Sequence, residues 1–316
     1  MDMITTLKGS YFSEILPDGW DLEKIKQCVS NPPESVFDRQ EFWHPGFTPV
    51  MCTNLEEFGA YMGHEIFMQI KQAKEEGRKL ILILPVGPMG MYKWAVYFLK
   101  QWNVDCKHVY GFNMDEWSDA EGNTLPASDP AAFQNAMTEA FYGPLGELTV
   151  PPEQRNFATK ENLPTYWDKI AALKAEGAKQ VLVYGIGRMC HIAFWEPHFA
   201  AEYATVEEWK AASHRIGARL HPFTIEQNAI TSFRSSWPLI PCFANTIGPR
   251  IIFNSDYAIG GADGVLSRGM QWQGMSFWMT LRYGPCKAVT SSFIPTLAGK
   301  LFFMEELAGP LCADTN

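Results

Sequence analysis

The spacing of apolar positions along the chain changes near residue 50. Before that point apolar residues keep no regular interval and are interrupted at Asn31-Pro32-Pro33 and Phe42-Trp43-His44-Pro45. Residues 1–50 are therefore expected to be an N-terminal extension packed on a main domain of residues 51–316. Between Asn54 and Glu76, Leu55, Phe58, Met62, Ile66 and Ile70 recur every three or four positions, the period of an amphipathic helix. Asn54 is placed to cap that helix and Gly77 to stop it. The unbroken apolar run Leu80–Val86 then predicts a strand buried on both faces of a parallel sheet. It ends in Gly87-Pro88-Met89-Gly90, and a helical pattern over Met91–Gln101 completes the start of a βαβ unit.

Further strands are expected at His108–Phe112, Gln180–Tyr184, Arg250–Phe253, Tyr257–Ile259 and Ala288–Thr290. Helices are expected at Pro130–Tyr142, Tyr166–Glu176 and Met270–Leu281. Strands alternating with helices, with no repeat and no linker, predict an α/β fold. The expected form is a doubly wound, mostly parallel sheet with helices on both faces, a Rossmann-like three-layer arrangement.

Composition narrows the class of function. A 47% hydrophobic fraction over 316 residues suffices for a large core. The formal net charge of −9, with basic residues scattered, argues against nucleic acid or an anionic membrane as partner. The longest apolar runs are too short to span a bilayer, and Met1-Asp2-Met3-Ile4 does not open a secretory leader. The seven cysteines, at 28, 52, 106, 190, 242, 286 and 312, show no C-x-x-C spacing. Reduced thiols and a cytoplasmic location are the expectation, with no metal and no organic cofactor.

In open α/β sheets ligands bind at the carboxyl ends of strands, and three such ends carry distinctive residues. They are Pro85–Gly90, Phe112–Trp117 and Gly185–Pro197. An Asp-Glu pair after one strand and a histidine after another supply a carboxylate base and an imidazole acid for moving a proton beside a carbonyl. Each piece also has a plain structural explanation. Asp115 and Glu116 suit a helix or turn cap, His191 suits a hydrogen-bonded core position, and the glycines suit tight turns.

Taken together, these segments resemble the glucosamine-6-phosphate deaminase/isomerase family, whose wider superfamily includes 6-phosphogluconolactonase. Phe112-Asn113-Met114-Asp115-Glu116-Trp117 is similar to the family's F-N-M-D-E-Y, and Gly185–Pro197 to its G-x-G-x-D-G-H-I-A-F-N-E-P. Weaker likeness runs through Thr224–Ser232 and Ala288–Pro295, so most of the chain after residue 50 is covered. The resemblance implies that Asp115 is the base carrying a proton between C2 and C1 of an open-chain sugar. It implies that His191 opens the sugar ring and that Glu196 orients His191. Gly87, Glu116, Met189 and Arg268 are the implied substrate-contact positions.

Departures from the family pattern concentrate in the relay and the phosphate site. Met189 replaces an aspartate, Cys190 a glycine and Trp195 an asparagine. The strand-end loop Val86–Gly90 has no Ser or Thr, and Pro88 has no N–H to donate. The family's arginine falls near Ile230, and no lysine stands at its last phosphate position, although Arg268 and Arg234 lie nearby. Each lost charge-assisted bond costs about 1.5–3 kcal/mol of phosphate binding.

The expected activity is aldose–ketose isomerisation of an aminosugar, phosphorylated or free, with or without release of ammonia. A non-catalytic sugar-binding homologue and a sugar lactonase are the alternatives. The expected partner is a small sugar or sugar phosphate, and the resemblance leaves a homo-oligomer open.

Overall fold

The computed structural model describes residues 3–266 and 270–309. The described strands are β1 Phe47–Cys52, β2 Leu80–Leu84, β3 Val109–Asn113, β4 Asp115–Ser118, β5 Arg155–Asn156, β6 Lys179–Gly185, β7 His214–Arg219, β8 Phe243–Ile247, β9 Tyr257–Ala262 and β10 Gly299–Met304. Seven of them pair in parallel in the order β1-β10-β9-β6-β2-β3-β5. Every residue of β2 is buried, as a strand covered on both faces requires.

From β2 the sheet grows through β3 to β5 on one side, then returns to β6 and continues through β9 to β10 on the other. Right-handed crossovers stepping in opposite directions place helices on both faces. The fold is the doubly wound three-layer α/β sheet that the apolar pattern predicted. Its direction reverses between β2 and β6, where such sheets hold ligands.

The helix Leu55–Glu75 follows the predicted stripe, with Phe58, Met62, Ile66 and Ile70 buried and Leu55 exposed. Asn54 Oδ1 accepts the Glu57 N–H at 2.9 Å and so caps its first turn. The helices Gly90–Gln101 and Tyr166–Ala175 also fall where periodicity put them.

Several expected elements differ in kind or bounds, among them the helix expected at Met270–Leu281, which runs Gly274–Arg282. Arg250–Phe253 is not a strand: Pro249–Ile252 forms one helical turn with Pro249 in its first position. Proline's fixed φ favours that start, and a single turn buries Ile251 and Ile252 as well as a strand would. Ala288–Thr290 does not form a strand either, and Thr290–Thr296 is a 3₁₀ helix. Its first residues are held by tertiary bonds, Ser291 N–H to Cys190 O at 2.8 Å and Thr290 Oγ1 to Trp195 O at 3.3 Å. The helix expected over Pro130–Tyr142 begins at Phe133 and ends in a π turn over Thr138–Tyr142.

A second sheet, antiparallel and ordered β4-β8-β7, was not foreseen. Met114 joins the two sheets: its N–H reaches Leu84 O in β2, and its carbonyl accepts Ile247 N–H from β8. This junction fixes the chain direction just before Asp115.

In the N-terminal region, Trp20 Nε1 donates to Ala288 O at 2.7 Å and Trp43 Nε1 to Leu281 O at 3.1 Å. The boundary expected at residue 50 falls inside β1, which pairs along its whole length with β10. Among the described residues no helix is long and apolar enough to cross a membrane. Cys28, Cys52, Cys106, Cys190, Cys242 and Cys286 are free thiols, and Cys312 lies outside the described residues.

Candidate functional site

A cleft of about 450 Å³ opens at the switch point, a volume typical of small-molecule sites. Its lining comes from the carboxyl ends of β2, β3, β6 and β9 and from the helix Pro222–Ser232. Asp115, His191 and Gly87 line it. Glu116 and Met189 are buried but do not, and Arg268 lies outside the described residues.

Asp115 opens β4, paired with Thr246 of β8, and is 6% exposed. Burial, with the Glu116 charge beside it, drives its carboxyl well above the ordinary value. A carboxyl raised in this way suits a general base at neutral pH. Glu116 follows on the strand, so its side chain points to the opposite face. There it accepts backbone N–H groups of Trp117, Phe133 and Gln134 at 3.0, 2.8 and 2.8 Å. Burial raises its carboxyl while those bonds pull it back down. Glu116 thus caps the helix Phe133–Met137 and anchors the wall behind Asp115.

His191 sits in a tight loop between β6 and Glu196. Gly187 N–H bonds His191 O, and Cys190 N–H bonds Gly187 O. The His191 ring lies directly against Gly187, where any Cβ would collide with it. Cys190 and Ala193, at φ of 59° and 54°, both occupy the left-handed region that non-glycine residues rarely enter. Such strain persists only where the surroundings over-determine it, and here the Ser291 N–H and the Thr246 hydroxyl bond this loop's backbone at Cys190 O and Phe194 N–H. Burial also pushes the Cys190 thiol far up, so it stays protonated and inert.

His191 Nδ1 stands 3.2 Å from Thr224 Oγ1 and 3.4 Å from Glu196 Oε2. Glu196 is completely buried. Burial works to raise its carboxyl, but His191, the His221 N–H at 3.0 Å and Thr224 hold it below the ordinary range. A proton on Nδ1 therefore faces an ionised carboxylate, which leaves Nε2 to trade a proton with a ligand. Thr224 was not singled out as part of this relay, although it opens a segment that resembles the family.

None of Met189, Cys190 and Trp195 lines the cleft. Trp195 is fully buried, edge-on to Phe199 at 5.5 Å. On the cleft side, Gln227 Oε1 accepts the Arg188 N–H at 2.7 Å, and the Arg188 side chain pairs with Glu226. This pairing ties the loop after β6 to the helix Pro222–Ser232.

One wall of the cleft comes from the helix Pro222–Ser232. Ile230, Thr231, Ser232, Asn228 and Gln227 line it, and no Lys or Arg does so among the described residues. Arg234 is not a lining residue. Asp263 and Gln273 line the cleft and were missed by sequence reasoning, because the predicted strand ended at Ile259 instead of Ala262. The rule that ligands gather at strand ends, applied to the full strand, would have found Asp263. Among the described residues no group of three or more His, Cys, Asp or Glu side chains is arranged to hold a metal ion.

Comparison with known proteins places this geometry in context. The chain is 27% identical over 212 residues to the glucosamine-6-phosphate deaminase of Aliivibrio fischeri, covering 64% of this chain and 71% of that protein. It is 26% identical over 207 residues to the glucosamine-6-phosphate deaminase of Caenorhabditis elegans, with 64% and 70% covered. No protein-family model matches it. Among solved structures, a monomeric glucosamine-6-phosphate deaminase aligns with a TM-score of 0.65 at 18% identity, over 82% of this chain and 98% of that one. The 6-phosphogluconolactonase of Leishmania guyanensis aligns at 0.54 and 16%, over 84% and 99%. At such identities the structural likeness speaks for the fold alone.

Proposed function

We propose, from the premise that this chain is a divergent member of the glucosamine-6-phosphate deaminase and 6-phosphogluconolactonase superfamily, that it isomerises an aminosugar lacking the 6-phosphate. The relatives named above are enzymes acting on sugar phosphates, and the retained residues are those that such chemistry needs. The observation that carries the reading is a single cleft lined by the raised carboxyl of Asp115 and by His191, with Glu196 behind the imidazole.

His191 gives a proton to the ring oxygen as its bond to C1 breaks and takes up the C1 hydroxyl proton as the C1 carbonyl forms, while Glu196 stabilises the changing charge on the imidazole. Asp115 then takes the C2 proton, giving an enolamine when C2 bears nitrogen, and returns the proton to C1. The product imine adds water and releases ammonia where deamination follows. No step in this sequence changes the oxidation state of the protein or calls for a co-reactant other than water.

The absence of a phosphate in the substrate is supported by the lining. Ile230 stands in the cleft near the family's arginine position, and the described lining contains no cation. Pro88 removes a backbone donor from the β2 loop.

Proton exchange at C2 tests the reading. Free hexosamines incubated with the protein in deuterium oxide should take up deuterium at C2, and Asp115→Asn should abolish the uptake. No exchange with any free or phosphorylated hexosamine sinks it. Rapid opening of a sugar lactone without exchange would replace it with lactonase activity, and thermal stabilisation by sugars without turnover with a binding role.

A further inference from the structure

Asp263 stands one residue beyond the end of β9 and lines the same cleft as Asp115. Its neighbours are fixed. Gly264 N–H donates to Gln273 Oε1 at 2.8 Å, and Gln273 Nε2 donates to Ile186 O at 2.5 Å. These bonds tie the turn after β9 to the end of β6 and hold the Asp263 backbone in place. Its carboxylate, by contrast, is bonded by its own backbone N–H and by no side chain among the described residues. Burial pushes this carboxyl up to about 6, so it is still mostly ionised at neutral pH. A carboxylate in a cleft that is bonded only by its own backbone N–H keeps acceptor lone pairs for a ligand.

The remaining lining defines what that ligand can be. Asp115, His191 and Asp263 are the titratable side chains among the described lining, and Ile230, Val265, Leu266 and Trp272 add apolar surface. A phosphate dianion entering this space meets the Asp263 carboxylate and no Lys or Arg among the described residues, whereas hydroxyl and ammonium groups find an acceptor. We propose that Asp263 is a specificity-determining residue that binds hydroxyl or ammonium groups of an unphosphorylated sugar and turns away its phosphorylated form. This inference rests on the isomerase reading only for the location of the sugar.

The test uses 2-amino-2-deoxyglucitol and its 6-phosphate, open-chain polyols that cannot be isomerised, titrated calorimetrically into the full chain. The unphosphorylated polyol should bind at least tenfold tighter than the phosphate. Asp263→Asn should shrink that ratio at least tenfold, Asp263→Glu should keep it, and Asp263→Lys should reverse it. Melting curves establish that each variant is folded. Equal or tighter binding of the phosphate by the natural chain overturns the inference. So does a ratio unchanged in a folded Asp263→Asn protein, or no binding of the free polyol at millimolar concentration. Because neither probe turns over, the selectivity can survive a failure of C2 exchange, and exchange can survive a failure of the selectivity.

Discussion

The part of the cleft built from β4 and the loop after β6 differs in kind from the part built by the β2 loop, the helix Pro222–Ser232 and the turn after β9. The first holds Asp115, His191 and Glu196 in buried, bonded settings that shift their carboxyls in opposite directions, Asp115 up and Glu196 down. The second holds Ile230, Thr231, Ser232 and Asp263 where a phosphate clamp would need cations. Proton transfer depends on a few groups whose charge is set by surroundings that cannot be altered piecemeal. Recognition is spread over many lining side chains, each exchangeable without disturbing the fold. On the proposed reading, the difference would let such a site keep its proton chemistry while its ligand changes.

The largest effect should come from Asp115→Asn. C2 exchange should fall by about 10³-fold or more, since the general base is removed outright. Stability should move the other way. The folded carboxyl lies above its unfolded value, so its favourable contribution exists at low pH and is lost as pH rises through the raised value. Keeping this carboxyl buried costs stability at any pH where the unfolded carboxyl would ionise, so at neutral pH the asparagine variant should melt on the order of a few degrees higher. A variant that is inactive and also less stable would contradict this account of Asp115.

Exchange in the natural chain should also rise with pH through the same raised value, because only the ionised carboxyl accepts the proton. A rate profile already level across the ordinary carboxylate range would remove the raised Asp115 from the mechanism.

Replacing Glu196 by Gln should lower turnover about 10- to 100-fold, the scale seen when a histidine loses its orienting carboxylate. The loss should be smaller with an open-chain substrate, which needs no ring opening. Equal losses on both forms would place Glu196 outside ring opening.

On the recognition side, Ile230→Arg should tighten binding of a 6-phosphorylated aminosugar about tenfold, the effect of one added charge-assisted contact. It should leave the C2 exchange of a free hexosamine within about twofold, a scale set by uniform binding. Titration with each ligand reads both numbers. Tighter phosphate binding accompanied by lost exchange would erase the division between the two parts of the cleft.

The smallest effect concerns the N-terminal region. Phe12 stacks on Phe223 at 5.6 Å, and His221 Nε2 donates to Ile15 O at 2.8 Å. The same His221 gives its backbone N–H to Glu196 Oε1. Phe12→Ala should therefore lower turnover only two- to threefold, within the ~0.5–1.5 kcal/mol of an aromatic pair, with KM unchanged. A change confined to KM would detach this contact from Glu196.

How much of this was legible beforehand depends on where the information lies. β2, β6 and the helix Leu55–Glu75 were readable because local apolar spacing matches the face each buries. The pair Ile251-Ile252 misled, because two buried β-branched residues satisfy a strand and a single helical turn equally. β1, β10 and the β4-β8-β7 sheet were invisible to periodicity, since their pairing partners lie far away in the chain. Within the site, the motif wording around residues 112–117 and 185–197 pointed to Asp115, His191 and Glu196. Thr224 and Gln227 fell in a segment of only weak likeness and Asp263 in none, and their places became visible only when the strands were assembled.

Returning to those same residues, the sequence by itself determined the α/β class and the likeness to the deaminases, and it named the candidate acid–base groups, because each is written in neighbouring positions. Only the tertiary structure decided that Glu116 and Met189 are buried outside the cleft, that Met114 links two sheets and that Asp263 enters the recognition side. Those outcomes depend on contacts between distant segments, and on burial, which sets the charge of a carboxyl and is a property of the folded whole.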